Sequence, residues 1–196
     1  MEILLASNNR HKAVEFRRLF SGHTVRLPSE VGVRFSFEET AASYLGNALG
    51  KAAALYDRVR KPVLADDSGL AVTVLGGEPG ILSSRYGSKP GGPVLGAEER
   101  NRLLLDRLRG EEMREAFFVC CMVLVLDHRR FYAAQETLRG EIGQEPRGAG
   151  GFGYDPIFAV PERGMTVAEM TDAQKDGISH RARAARCILS LLAGVP

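Results

Sequence analysis

The chain has 196 residues, room for one sizeable domain or a two-lobed one with a continuous core. Its 44% apolar and 26% charged content is ordinary for a globular protein, and a net charge of +2 argues against a general nucleic-acid-binding coat. Apolar runs such as 117–126 are too short to span a bilayer.

In chain order, Glu2 to Ala6 reads as a buried strand, broken by Ser7-Asn8-Asn9. Arg10 to Phe20 reads as an amphipathic helix with Val14, Phe16 or Arg17, and Leu19-Phe20 on its apolar side. Strand, polar turn and helix are the opening of an α/β fold. No basic segment with a long apolar stretch precedes that strand, so no signal peptide is expected and a cytoplasmic location is the default. His23 to Leu27 suggests a second strand. Thr40 to Val59 is helical by the spacing of Ala41, Leu45, Ala48, Leu49, Ala52 and Leu55, and Lys61-Pro62 ends it. A strand region follows over 63–74. Gly76 to Gly96, with seven glycines and Pro79, Pro90 and Pro93, is a long loop of the kind that carries function or moves.

Ala97 to Arg109 is a charged amphipathic helix. Ala116 to Leu126 and Phe131 to Leu138, joined by Asp127-His128-Arg129-Arg130, predict two antiparallel strands. Thr166 to Glu169 starts a short helix, and Ser179 caps a final one ending at Gly194. Cys120, Cys121 and Cys187 form no metal-binding pattern and read as buried small side chains. With no low-complexity linker, residues 1–196 are expected to form one domain, with two lobes around a cleft.

Five constellations carry candidate chemistry. In Ser7-Asn8-Asn9-Arg10-His11-Lys12 a helix N-terminus, the Ser7 and Asn9 side chains and the Lys12 charge suit a phosphate, although the GxxxxGK[ST] loop is absent. An ordinary helix cap explains the same residues. Glu38-Glu39 either favours the dipole of the helix that follows or supplies a metal ligand. Asn47 and Lys51, four apart, share one face of that helix, which looks into a cleft or into solvent. In Asp66-Asp67-Ser68-Gly69 two carboxylates interrupt an apolar strand. Unpaired burial there is expensive, so a cation is expected, a divalent metal first. Successive strand residues face opposite sides, so only one aspartate is the principal ligand or base on a given face. A β-turn is the competing reading.

Gly150-Gly151-Phe152-Gly153-Tyr154-Asp155-Pro156 places aromatics on a flexible backbone, where they can sandwich a nucleobase while main chain or Asp155 reads its edge. The same pattern fits a glycine-rich turn with core aromatics. Lys175 and Ser179-His180-Arg181 put positive charge at the start of the last helix, against its dipole, and a nearby anion removes the conflict.

Together these segments resemble the Ham1/RdgB family of inosine triphosphate pyrophosphatases. The family's [ST]-x-N-x-x-K is matched by Ser7 to Lys12, its DDSGL by Asp66 to Leu70, and its LGG-x-PG by Leu75 to Gly80. Its GGFGYDP is Gly150 to Pro156, and its K-x-x-x-SHR is matched by Lys175 and Ser179-His180-Arg181. The resemblance implies an elongated mixed central sheet flanked by helices, two lobes around a nucleotide cleft, and a homodimer. It implies Mg2+-dependent hydrolysis of ITP, dITP and XTP to the monophosphate and pyrophosphate, which keeps these nucleotides out of DNA and RNA.

Residue by residue, the resemblance makes Asp67 the catalytic residue and a metal ligand, with Glu38 as a second ligand and Glu39 and Asp66 as neighbours. Ser7, Asn8, Asn9, Arg10, His11, Lys12, Lys51 and Ser68 hold phosphates. Phe152, Gly153, Tyr154, Asp155, Lys175, His180 and Arg181 hold the base and sugar end. Asn8 stands where many members have glycine, and Ser88 to Gly96 matches no family pattern. Neither nucleic acid nor membrane is an expected partner. The competing functions are a Maf-like pyrophosphatase for modified pyrimidine triphosphates, a non-catalytic nucleotide sensor, and an RNA-binding module.

Overall fold

The computed structural model describes residues 1–89 and 91–194; Pro90 in the long loop, and Val195 and Pro196, lie outside the described residues. The elements run β1 (Glu2–Leu5), α1 (Arg10–Leu19), β2 (Thr24–Arg26), α2 (Tyr44–Val59), β3 (Val63–Val72), β4 (Pro79–Gly80) and α3 (Ala97–Arg107). They continue with β5 (Glu115–Val125), β6 (Phe131–Ile142), β7 (Phe158–Val160), β8 (Met165–Thr166), α4 (Asp172–Ile178) and α5 (His180–Ala193). Hydrogen-bonded strands follow the order β2-β1-β3-β5-β6-β7-β8, and β4 pairs with β3. The β1 pairings with β2 and with β3 are parallel, whereas β6–β7 and β7–β8 are antiparallel, so the sheet is mixed. Among the described residues no helix is long and apolar enough to cross a membrane.

The chain divides into two compact units, the first built from Met1–Asp67, Cys120–Glu136 and the segment from Ser179 onward, the second from Ser68–Val119 and Thr137–Ile178. The first unit has two cores, and strand parity explains them. Ile3, Leu5, Leu64 and Met122 pack with Phe16 and Phe20 of the α1 region and Ile188 of α5. Their strand neighbours Leu4, Val63, Ala65 and Val123 pack with Ala48, Ala52 and Leu55 of α2. Side chains alternate along a strand, so one face of β1, β3 and β5 meets α1 and α5 while the other meets α2. The second unit has its own core of Leu70, Leu104, Phe118, Ile142 and Phe158, with the Phe118 and Phe158 rings stacked 4.2 Å apart.

Several boundaries differ from the sequence expectation. The second helix starts at Tyr44, because Ser43 caps it through Gly46 N at 3.1 Å and Asn47 Oδ1 accepts Ala41 N at 3.0 Å, holding 41–43 outside the helix. β3 ends at Val72, where a 3-10 turn takes over Thr73–Leu75. β6 continues to Ile142, and α4, β4, β7 and β8 had no counterpart in the pattern. Val14 and Leu45, placed on apolar helix faces by periodicity, are exposed.

Candidate active site

Asp66 and Asp67 are both buried, at 2% and 5% exposure. They lie on consecutive positions of β3, so parity sends them to the two faces that the cores define. Asp66 follows Leu64 to the side of α1 and α5, and Asp67 follows Ala65 to the side of α2. Their partners confirm this. Lys12 Nζ, from α1, donates to both Asp66 oxygens at 2.9 Å. Arg181, from α5, donates to Asp66 Oδ2 through Nη2 at 3.3 Å and to Glu15 Oε2 through Nη1 at 2.6 Å. Asn47, from α2, donates to Asp67 Oδ2 at 2.9 Å.

The basic start of α5 therefore meets the anion its dipole conflict called for, but that anion is protein. Burial works against the Arg181 charge, and Glu15 and Asp66 more than offset it, so its pKa is raised. Arg181 is 3% exposed and its guanidinium lies between two carboxylates, an ion network within the fold. His180 is buried beside it, and Ser179 caps the helix through Ala182 N at 3.1 Å.

The loop after β1 is organised by its own side chains. Ser7 Oγ accepts Asn9 N at 3.1 Å, and Asn9 Oδ1 accepts the His11 and Lys12 amides at 2.9 and 3.2 Å. Asn9 is thus the N-cap of α1, while Arg10 and His11 are exposed on its first turn. Asn8 donates from Nδ2 to Phe35 O at 2.9 Å and ties this loop to the segment that leads into α2.

That segment carries the two glutamates, and they part company. Glu38 is exposed; Glu39 is half-buried, pairs with Lys51 Nζ, and its charge acts on Asp67. Of the two, it is Glu39, named by the resemblance as a neighbour of the ligand Glu38, that pairs with Lys51. Asn47 and Lys51, one helical turn apart, both face the acidic residues rather than open solvent, Asn47 donating to Asp67 and Lys51 pairing with Glu39.

Burial raises the Asp67 pKa above the ordinary carboxylate value; the Asn47 hydrogen bond opposes this, Glu39 adds to it, and Lys51 and Lys12 lower it. Cys121 lies close enough to both aspartates that burial and their charges push its thiol up to about 11, an unreactive thiol at neutral pH. Cys120 is in the core, and Cys187, half-buried, donates to Glu136 Oε1 at 3.6 Å.

The chemistry of the donor set is compatible with a hard divalent cation. Among the described residues no cluster of three or more His, Cys, Asp or Glu side chains is arranged to hold a metal by itself. Glu39 and Asp67 supply two carboxylates, and among the described residues Asp67 accepts one hydrogen bond, on Oδ2. Mg2+ is held by one or two carboxylates with water and substrate phosphates completing its shell, so such a set suits an ion that arrives with a nucleotide.

The second unit holds the remaining residues of the glycine-rich and lysine segments. Asp155 Oδ2 accepts Lys175 Nζ and Phe152 N, each at 2.8 Å, and Lys175 Nζ lies 4.9 Å from the Phe152 ring centroid. A Cβ on Gly151 would meet Asp155 Oδ2 at 2.1 Å, and Gly151 has φ +70, so this turn requires glycine. Tyr154 is buried and donates to Ser83 O at 2.9 Å, and burial raises its pKa. It anchors the loop in the core, as the glycine-rich-turn reading has it. Asn101 Nδ2 donates to Gly153 O at 3.0 Å. Ser68 follows Asp67 on β3 and is half-buried.

Four contributors escaped the sequence reading: Glu15, Tyr44, Asn101 and the role of Asn47 as the Asp67 donor. Glu15 left a trace, an acid three residues after Lys12 beside Phe16 on the inward face of α1. The hydroxyl of Tyr44 is buried, and burial and the charge of Asp67 push it up to about 12.

Comparison with known proteins agrees with this arrangement. The Ham1 family pattern matches residues 3–191. A dITP/XTP pyrophosphatase of Treponema denticola is 50% identical over 194 residues, covering 99% of this chain and 100% of that one. One of Thermus thermophilus is 43% identical over 194 residues, covering 96% and 90%. Among solved structures, the Staphylococcus aureus Ham1 protein superposes with a TM-score of 0.85 at 38% identity over 99% of both chains. A HAM1 protein of Coxiella burnetii gives 0.87 at 35% over 100% of both. The strand-borne aspartate pair, its basic partners and the match over nearly the whole length place this chain in the Ham1 family.

Proposed function

We propose that this chain is a nucleoside triphosphate pyrophosphatase that hydrolyses the non-standard purine nucleotides dITP, XTP and ITP to monophosphate and pyrophosphate. The observation that carries the reading is Asp67: a buried carboxylate of raised pKa, held by Asn47 beside Glu39, Lys51 and Lys12. Relatives of up to 50% identity are dITP/XTP pyrophosphatases.

In this reading Asp67 accepts the proton of the water that attacks the α-phosphorus, and the α–β phosphoanhydride bond breaks with pyrophosphate leaving. A pKa above the ordinary carboxylate value makes Asp67 a better proton acceptor than a solvated aspartate. Glu39 and Asp67 would hold a divalent cation, Mg2+, which supplies charge neutralisation on the phosphate oxygens. Lys51 exchanges Glu39 for phosphate, and Lys12, Ser7, Asn9, Arg10, His11 and Ser68 hold the phosphate chain. Asp66 and Arg181 keep the charge of this region balanced. Phe152 offers a ring face to the purine, and Lys175, with the Gly153–Asp155 backbone, provides donors for its 6-oxo edge.

Residues 1–196 acting as one domain, a homodimer and a cytoplasmic location belong to the same reading. A panel of common, deaminated and modified pyrimidine triphosphates, with Mg2+ and pyrophosphate detection, tests it. Turnover confined to inosine and xanthine nucleotides supports the reading, and a preference for modified pyrimidines overturns it.

A further inference from the structure

Tyr44 is the first residue of α2, and Asn47 and Lys51 follow it at i+3 and i+7, so the three share one stripe of the helix. Asn47 donates to Asp67 and Lys51 pairs with Glu39. The Tyr44 hydroxyl is buried and has no hydrogen-bond partner among the described residues. A buried hydroxyl without a partner is costly, and phenylalanine would give the same ring without that cost. The hydroxyl lies within the field of Asp67 yet does not donate to it. Burial and that field push it up to about 12, so it is a neutral donor at physiological pH.

A phenol that keeps its proton, sits on the Asn47–Lys51 stripe and lacks a protein acceptor is suited to an oxygen that arrives from outside. We infer that the Tyr44 hydroxyl donates a hydrogen bond to a phosphate oxygen of the bound nucleotide, beside Asp67. The inference rests on the proposed pyrophosphatase reading, since that reading brings the triphosphate to Asp67. The tyrosine is then kept at the expense of fold stability, and its hydroxyl is satisfied only in the complex.

The test is Tyr44→Phe against the unaltered chain. Four quantities are read: thermal midpoint without ligand, kcat and KM for dITP with Mg2+, and the dissociation constant of inorganic tripolyphosphate with Mg2+. The variant is expected to melt at the same temperature or higher, to lose about tenfold in kcat/KM, and to bind tripolyphosphate about tenfold more weakly. A lower midpoint means the hydroxyl has a partner within the fold and overturns the inference, as does unchanged tripolyphosphate affinity. If the unaltered chain binds tripolyphosphate but turns over no nucleotide, the pyrophosphatase reading fails while the tripolyphosphate comparison still decides the role of Tyr44.

Discussion

Asp66 and Asp67 are adjacent on one strand, yet Asp66 closes an ion network with Lys12 and Arg181 while Asp67 receives, among the described residues, a single amide donor, Asn47. The difference follows from side-chain alternation on β3. Two like charges side by side in a buried strand are made compatible by giving one a full set of cations and leaving the other under-neutralised. The under-neutralised carboxylate is the one suited to bind a cation and accept a proton.

Asp67 makes stability and function oppose each other. Its folded pKa is raised, so its contribution to stability is fully present below the unfolded value of about 3.9 and is lost as pH rises through the folded value. At neutral pH the buried charge is a net cost. Asp67→Asn is expected to melt at or above the unaltered temperature at pH 7 while losing at least about a hundredfold in kcat. Calorimetry at pH 4 and pH 7 checks the sign: the stability gain belongs to the higher pH.

Asn47→Ala removes the Asp67 donor and also the acceptor of the Ala41 amide. Urea denaturation is expected to show a loss of about 1–3 kcal/mol. With the donor gone, Asp67 rises further, so the acidic limb of the kcat/KM profile moves to higher pH. A variant with lost stability but an unmoved limb would assign Asn47 to helix capping alone.

Arg181 separates a structural from a substrate-reading role. Arg181→Ala leaves Glu15 and Asp66 buried without their shared cation, and the expected loss is about 3–5 kcal/mol. Adding Glu15→Gln to Arg181→Met removes one stranded charge and restores part of that loss. Fluorescence-monitored unfolding compares the two. A stable Arg181→Ala protein defective only in choosing among bases would make the arginine a base reader.

Asn8→Gly removes the tie to Phe35 O. The bond is partly exposed, so about 0.5–1.5 kcal/mol of stability is expected to go, including the entropy of the added glycine. Hydrogen exchange should rise at amides in both the 7–9 loop and the 33–39 segment. Exchange confined to the first loop would show that the tie does not hold the second.

The parts of this molecule legible in the sequence are those written in local pattern. β1, the Ser7–Asn9 break, α1 and the hairpin strands β5 and β6 follow from apolar runs and turn residues. The acidic pair betrayed itself by interrupting such a run, and parity alone required Asp66 and Asp67 to differ. Pairings across the chain were not legible. Glu15 and Arg181 are 166 positions apart, and no local pattern links them. Glu38 and Glu39 are chemically alike, and only the path of the irregular segment before α2 decides which one faces Lys51. The start of α2 was misplaced because Asn47, inside the helix, captures the Ala41 amide and holds that stretch out of it. Val14 and Leu45 show that an apolar residue at helical spacing need not be core, since roughly half of a folded surface is apolar.

Attack at the α-phosphorus of a non-standard purine triphosphate is tested most directly by product analysis with dITP and Mg2+. Anion-exchange chromatography should resolve dIMP and pyrophosphate in equal amounts, with no dIDP at any time. Orthophosphate and dIDP as first products would contradict the account.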